Sequence, residues 1–158
     1  MIYFTKMHGL GNDFAVINNI DGDISLSTDE IRKLSNRRLG IGFDQLLMIE
    51  SASSKNADFR YIIFNADGSE VNQCGNGARC FALYIQKKNL SYKNPLEVET
   101  NAGIMVLTVN SDDSVRVEMG KPNFLPSKIP LNINEESLEY MIEGFKVGSL
   151  SIGNPHAI

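Results

Sequence analysis

The stretch from Ala78 to Ile85 is apolar on every side of a helix, apart from Arg79. It is opened by Cys74-Gly75-Asn76-Gly77 and should continue as helix to about Lys88. A helix that is apolar all round is a buried one, so the rest of the chain must supply enough surface to enclose it. Segments rich in β-branched and aromatic residues are available on both sides. Sheet is therefore expected to wrap around this helix.

Met1 to Met7 alternates like a strand, and His8 to Asp13 is a glycine-rich turn. Phe14 to Asn18, Gln45 to Glu50 and Asp58 to Asn65 read as further strands, with a short extended piece at Glu70 to Gln73. Ser27 followed three residues on by Glu30 has the form of a capping box, which predicts a helix to about Arg38. Leu96 to Thr100, Ile104 to Asn110 and Val115 to Met119 are joined by connections too short for helical crossovers, so they should be antiparallel. The expected class is α/β in the α+β sense: a curled, mostly antiparallel sheet around a central helix. Pro122, Pro126 and Pro130 mark a change of composition. They divide a first domain, 1–119, from a linker and the incomplete start of a second, similar domain, 120–158. Glu139 to Ile142 and Phe145 to Ile152 are the strands expected there.

Of the 158 residues, 42% are hydrophobic and 22% charged, enough for a packed core. A net charge of −4 and short basic clusters at Arg37-Arg38 and Lys87-Lys88, read as solvated helix ends, argue against nucleic-acid binding. No apolar run reaches membrane-spanning length and no targeting segment is visible, so no membrane partner is expected. Two cysteines do not make a disulfide framework, which points to a cytoplasmic location.

Cys74 stands where an extended segment meets a helix start. Free backbone N–H groups and the positive helix end favour an anion there, so a thiol would ionise more readily than usual. The glycines that follow allow a ligand close to the backbone, and the same turn could hold a carboxylate while Cys74 faces the carbon beside it. By position alone, Cys74 is equally consistent with a small buried residue; the Gly-Asn-Gly that follows favours chemistry. Cys80 lies six residues on, roughly 9 Å along the helix axis and on another face. It cannot share a substrate carbon with Cys74 and reads as core. No Cys-x-x-Cys or paired-histidine spacing is present, so no metal is expected. Asn12, Gln45 and Asn65 carry amides able to serve a zwitterionic ligand, or to make turns. His156 follows Asn154 and Pro155, and could relay protons or simply be exposed.

Five strings resemble the diaminopimelate epimerases: His8-Gly9-Leu10-Gly11-Asn12-Asp13-Phe14, Gly42-Phe43-Asp44-Gln45, Phe64-Asn65-Ala66-Asp67-Gly68, Gln73-Cys74-Gly75-Asn76-Gly77-Ala78-Arg79-Cys80 and Gly153-Asn154-Pro155-His156. They occur in the family's order along the whole chain. The resemblance implies two similar α/β domains, each a curled sheet around a helix, with the active site between them. It implies epimerisation of LL-diaminopimelate to meso-diaminopimelate without a cofactor, in a homodimer. Cys74 matches the first catalytic cysteine and His156 a histidine near the reacting centre. Asn12, Gln45, Asn65 and Asn154 match substrate ligands, and Gly75 and Asn76 match the turn that holds the reacting carboxylate. The family's second catalytic cysteine and further ligands belong to a second domain. The resemblance therefore implies a truncated or cleaved product, inactive alone, whose site the missing C-terminal half completes.

Inverting an α-carbon removes a proton from one face and delivers one to the other, which calls for two bases on opposite sides. Two readings compete with this one: another cofactor-independent isomerase of the same fold, such as a proline-racemase-like enzyme, and a non-catalytic half-fold that binds a ligand or partner.

Overall fold

The computed structural model describes residues 1–158. They form two compact units, Met1–Glu118 and Met119–Ile158. In the first, an eight-stranded sheet runs β1 (Thr5–Gly9), β2 (Asn12–Asn18), β3 (Gln45–Ser51), β4 (Phe59–Asn65), β6 (Leu96–Thr100), β7 (Gly103–Val109) and β8 (Val115–Glu118), with β5 (Glu70–Val71) paired to β4. Most neighbours are antiparallel; β2–β3 and β4–β6 are the parallel pairs. A parallel pair needs a crossover, and these two carry the helices α1 (Thr28–Ser35) and α2 (Gly75–Lys87).

The crossovers lie on opposite faces, and strand alternation feeds both. Phe14 and Val16 of β2, with Leu47 and Ile49 of β3, pack with Phe81, Ala82 and Ile85 of α2. The residues between them, Ala15, Ile17, Leu46 and Met48, pack instead with Ile31 of α1 and with Phe43. The sheet curls around α2, which meets strands from β1 at one edge to β8 at the other. Its buried positions include Gly77, Ala78, Cys80, Phe81, Ala82, Tyr84 and Ile85, while Arg79 and Leu83 are half-buried. The enclosed helix and the curled, mostly antiparallel sheet are thus as the sequence implies. The second core under α1 was not foreseen.

Several boundaries differ from expectation. The first strand starts at Thr5 rather than Met1 and runs on through His8 and Gly9. The reason is the hairpin: only Leu10 and Gly11 turn, both with positive φ (54° and 86°), as a two-residue type I′ connection requires. His8 pairs with Asp13 and Gly9 with Asn12, so both ends of the glycine-rich motif belong to strands. Helix α1 stops at Ser35, short of Arg38. Asn36 ends it, its side-chain oxygen accepting from the Arg38 and Leu39 N–H groups at 2.9 and 3.0 Å.

The second unit contains two small antiparallel pairs. β9 (Tyr140–Ile142) pairs with β10 (Phe145–Val147), and β11 (Ser149–Ser151) with β12 (Pro155–Ala157). The single strand expected over Phe145–Ile152 is broken at Gly148, whose N–H and C=O bond Ile158 instead. No helix in the chain is long and apolar enough to cross a membrane.

Candidate active site

Cys74 is the N-cap of α2, in extended conformation, and its side chain makes no capping bond to the helix. The first intrahelical bond runs from the Ala78 N–H to the Cys74 carbonyl at 2.9 Å. The N–H groups of Gly75, Asn76 and Gly77 precede it and have no acceptor within the helix. The half-buried thiol instead lies 3.7 Å from the side-chain oxygen of Asn12.

The starts of β2 and β3, the end of β4 and the start of α2 share one rim of the sheet. Asn12 opens β2, Gln45 opens β3 and Asn65 closes β4 opposite Gln45. The Gln45 Nε2 donates to Asn65 Oδ1 at 3.0 Å, and the Asn65 Nδ2 donates to Ser69 Oγ at 3.2 Å. Gln45 Oε1 is buried without a protein donor, an unusual position for an acceptor. Asn76 is held by its own helix, its side-chain oxygen accepting from the Arg79 guanidinium. Asn12, Gln45, Asn65, Cys74, Gly75 and Asn76 therefore come together. Asn154 and His156 belong to the second unit, where both are exposed and His156 Nδ1 lies 3.1 Å from the Asn154 carbonyl oxygen.

Cys80 is buried in the main core, and burial pushes its thiol up to about 11. It is free, as is Cys74. No group of three or more His, Cys, Asp or Glu side chains is placed to hold a metal ion.

Two features escaped the sequence reading. Arg37, exposed just past the end of α1, is also an ion-pairing residue. It donates to both carboxylate oxygens of Asp13, at 3.1 and 2.7 Å, and to Asp44 at 2.8 Å. That bidentate bond holds the Asp13 carboxyl well below the usual range, partial burial opposing and Lys6 and the Asp44 N–H assisting. Asp44 in turn accepts from the Asn12 side chain at 3.1 Å, so the network braces the residue beside the thiol. Asp13 and Asp44 lie inside the quoted motifs, which was the available signal. The second feature is Tyr61, buried at 3% exposure, whose hydroxyl donates to the Cys74 carbonyl at 3.2 Å.

Comparison with known proteins gives this rim a context. A diaminopimelate epimerase of Vesicomyosocius okutanii is 54% identical over 158 residues, covering 100% of this chain and 58% of that protein. One from Legionella pneumophila is 50% identical over 162 residues, covering 99% of this chain and again 58% of the relative. The chain thus spans under three fifths of the length of these relatives. Among solved structures, a hydroxyproline epimerase from Agrobacterium vitis aligns with a TM-score of 0.69 at 15% identity, over 99% of this chain and 50% of that one. A probable proline racemase from Agrobacterium radiobacter aligns at 0.68 and 15%, over 99% and 51%. At such identity these two show a shared fold and no more. The family model described as diaminopimelate epimerase matches residues 4–125, which include the whole rim around Cys74, and the chain belongs to that family.

Proposed function

We propose that this chain supplies one half of a cofactor-independent epimerase site that inverts the α-carbon of LL-diaminopimelate to give the meso form. The observation that carries the reading is Cys74 at the mouth of a buried helix. Its sulfur is free of capping duty and sits beside helix N–H groups that face no intrahelical acceptor.

Each residue then has a role. The N–H groups of Gly75 and Asn76 take the carboxylate next to the reacting carbon, where negative charge develops as the α-proton leaves. Cys74 removes or delivers that proton on one face. Asn12, Gln45 and Asn65 hold the remainder of the substrate. The opposite face requires a second acid/base, and Cys80 is not it, being sealed in the core. That partner belongs to the part of the relatives' length that this chain does not span. Two free thiols fit a reducing compartment, so we place the reaction in the cytosol.

The test is α-proton exchange in deuterium oxide with LL-diaminopimelate, meso-diaminopimelate and, as a control, proline. The 158-residue chain is expected to bring about no net inversion. Any deuterium incorporation should require diaminopimelate and vanish in Cys74→Ala. Efficient inversion by the pure chain would overturn the one-base assignment, and exchange indifferent to Cys74→Ala would remove Cys74 from the mechanism.

A further inference from the structure

We propose that Tyr61 is a positioning residue for the Cys74 turn, its buried hydroxyl setting the direction in which the Gly75 N–H points. The inference rests on the carboxylate role given above to Gly75 and Asn76.

Tyr61 sits on β4 within the core, its ring edge-on to Phe81 with centroids 5.2 Å apart. Packing alone would be met by phenylalanine. A hydroxyl in that core is costly unless it is bonded, and the bond it makes is to the Cys74 carbonyl. Burial raises the phenol well above its ordinary range, so it remains protonated and donates. The helix side is shaped to match. A Cβ on Gly77 would stand 2.5 Å from the Tyr61 oxygen, 3.2 Å from Leu47 Cδ2 and 3.3 Å from Phe14 Cε1. Only glycine lets the first turn of α2 settle against that hydroxyl.

The geometric consequence follows from the planar peptide. The Cys74 carbonyl and the Gly75 N–H share one peptide plane and, in the trans form, point in opposite directions. The Cys74 carbonyl accepts from two donors, Ala78 N–H at 2.9 Å along the helix and Tyr61 from the core. Pinning it toward the core aims the Gly75 N–H the opposite way. Tyr61 touches neither substrate nor sulfur in this scheme; it acts through the peptide between Cys74 and Gly75.

A pair of alkylating agents reads that direction. Iodoacetate carries a carboxylate beside the carbon that sulfur attacks, and iodoacetamide is its neutral counterpart. In both, an S–C bond forms, the C–I bond breaks, iodide leaves and the thiol proton goes to solvent. The parent chain should favour iodoacetate over iodoacetamide at Cys74 by about ten-fold relative to free cysteine, the scale of a charge-assisted hydrogen bond. Mass spectrometry assigns the label to Cys74 rather than Cys80. Tyr61→Phe should bring the ratio back to that of free cysteine while circular dichroism shows the chain folded. Gly77→Ala, which presses on the same hydroxyl from the helix, should lower it too. Phe81→Leu, which removes the ring partner, should lower the melting temperature and leave the ratio alone. An unchanged ratio in Tyr61→Phe or Gly77→Ala, or an equal fall in Phe81→Leu, overturns the role of Tyr61 and leaves the site standing. A parent chain with no preference for iodoacetate overturns the carboxylate cradle and this inference together.

Discussion

Cys74 and Cys80 share a helix, yet their surroundings make them different chemical groups. The first meets an amide oxygen at the open start of the helix; the second is wrapped in hydrocarbon that resists a charged sulfur. Asp13 shows the opposite effect of environment. Its carboxylate is held ionised first by Arg37, then by Lys6 and the Asp44 N–H. A carboxyl whose folded-state value lies below the ordinary 3.8 adds stability that is complete above that pH and is lost as the pH falls beneath it. In acid titrations followed by circular dichroism, Asp13→Asn should therefore show a shallower loss of stability below about pH 4 than the parent. At pH 7 it should be the less stable of the two. An identical acid limb in both would show that the network contributes no linkage.

At the scale of elements, the two helices form for different reasons. Helix α1 is signalled by its ends: Ser27 Oγ accepts from the Glu30 N–H at 3.3 Å, while the Glu30 carboxylate accepts from the Ser27 N–H at 2.8 Å. Both halves of the capping box were legible, because capping is a contact between residues three apart. Ser27→Ala is expected to cost about 1 kcal/mol in urea denaturation, with the slope unchanged. Helix α2 has no side-chain cap at all. It is stabilised by burial, and its first turn is left for the Cys74 site. The end of α1 was misread by three residues because Asn36 turns the chain with its own side chain, a choice that helix periodicity does not record. The strand Thr5–Gly9 was misplaced because its limits depend on pairing with β2 rather than on its own residues.

Across the whole first unit, one sheet serves two cores, with Ile85 of α2 fully buried on one face and Ile31 of α1 at 1% exposure on the other. Each truncation to alanine should cost roughly 2–5 kcal/mol. As the two side chains share no core cluster, the double variant should equal the sum of the singles to within about 0.5 kcal/mol. A larger departure in chemical denaturation would mean that the sheet transmits strain between its faces. The apolar run from Ala78 to Ile85 determined by itself that a helix would be enclosed, since such a surface has no stable place in water. The motif strings likewise pointed to the family. Tertiary structure alone decided that Arg37 would clamp Asp13 and Asp44, and that Tyr61 would reach the Cys74 carbonyl across thirteen residues of chain. Local spacing governs helices and caps, whereas a hydrogen bond between distant segments exists only once the strands have chosen their partners and register.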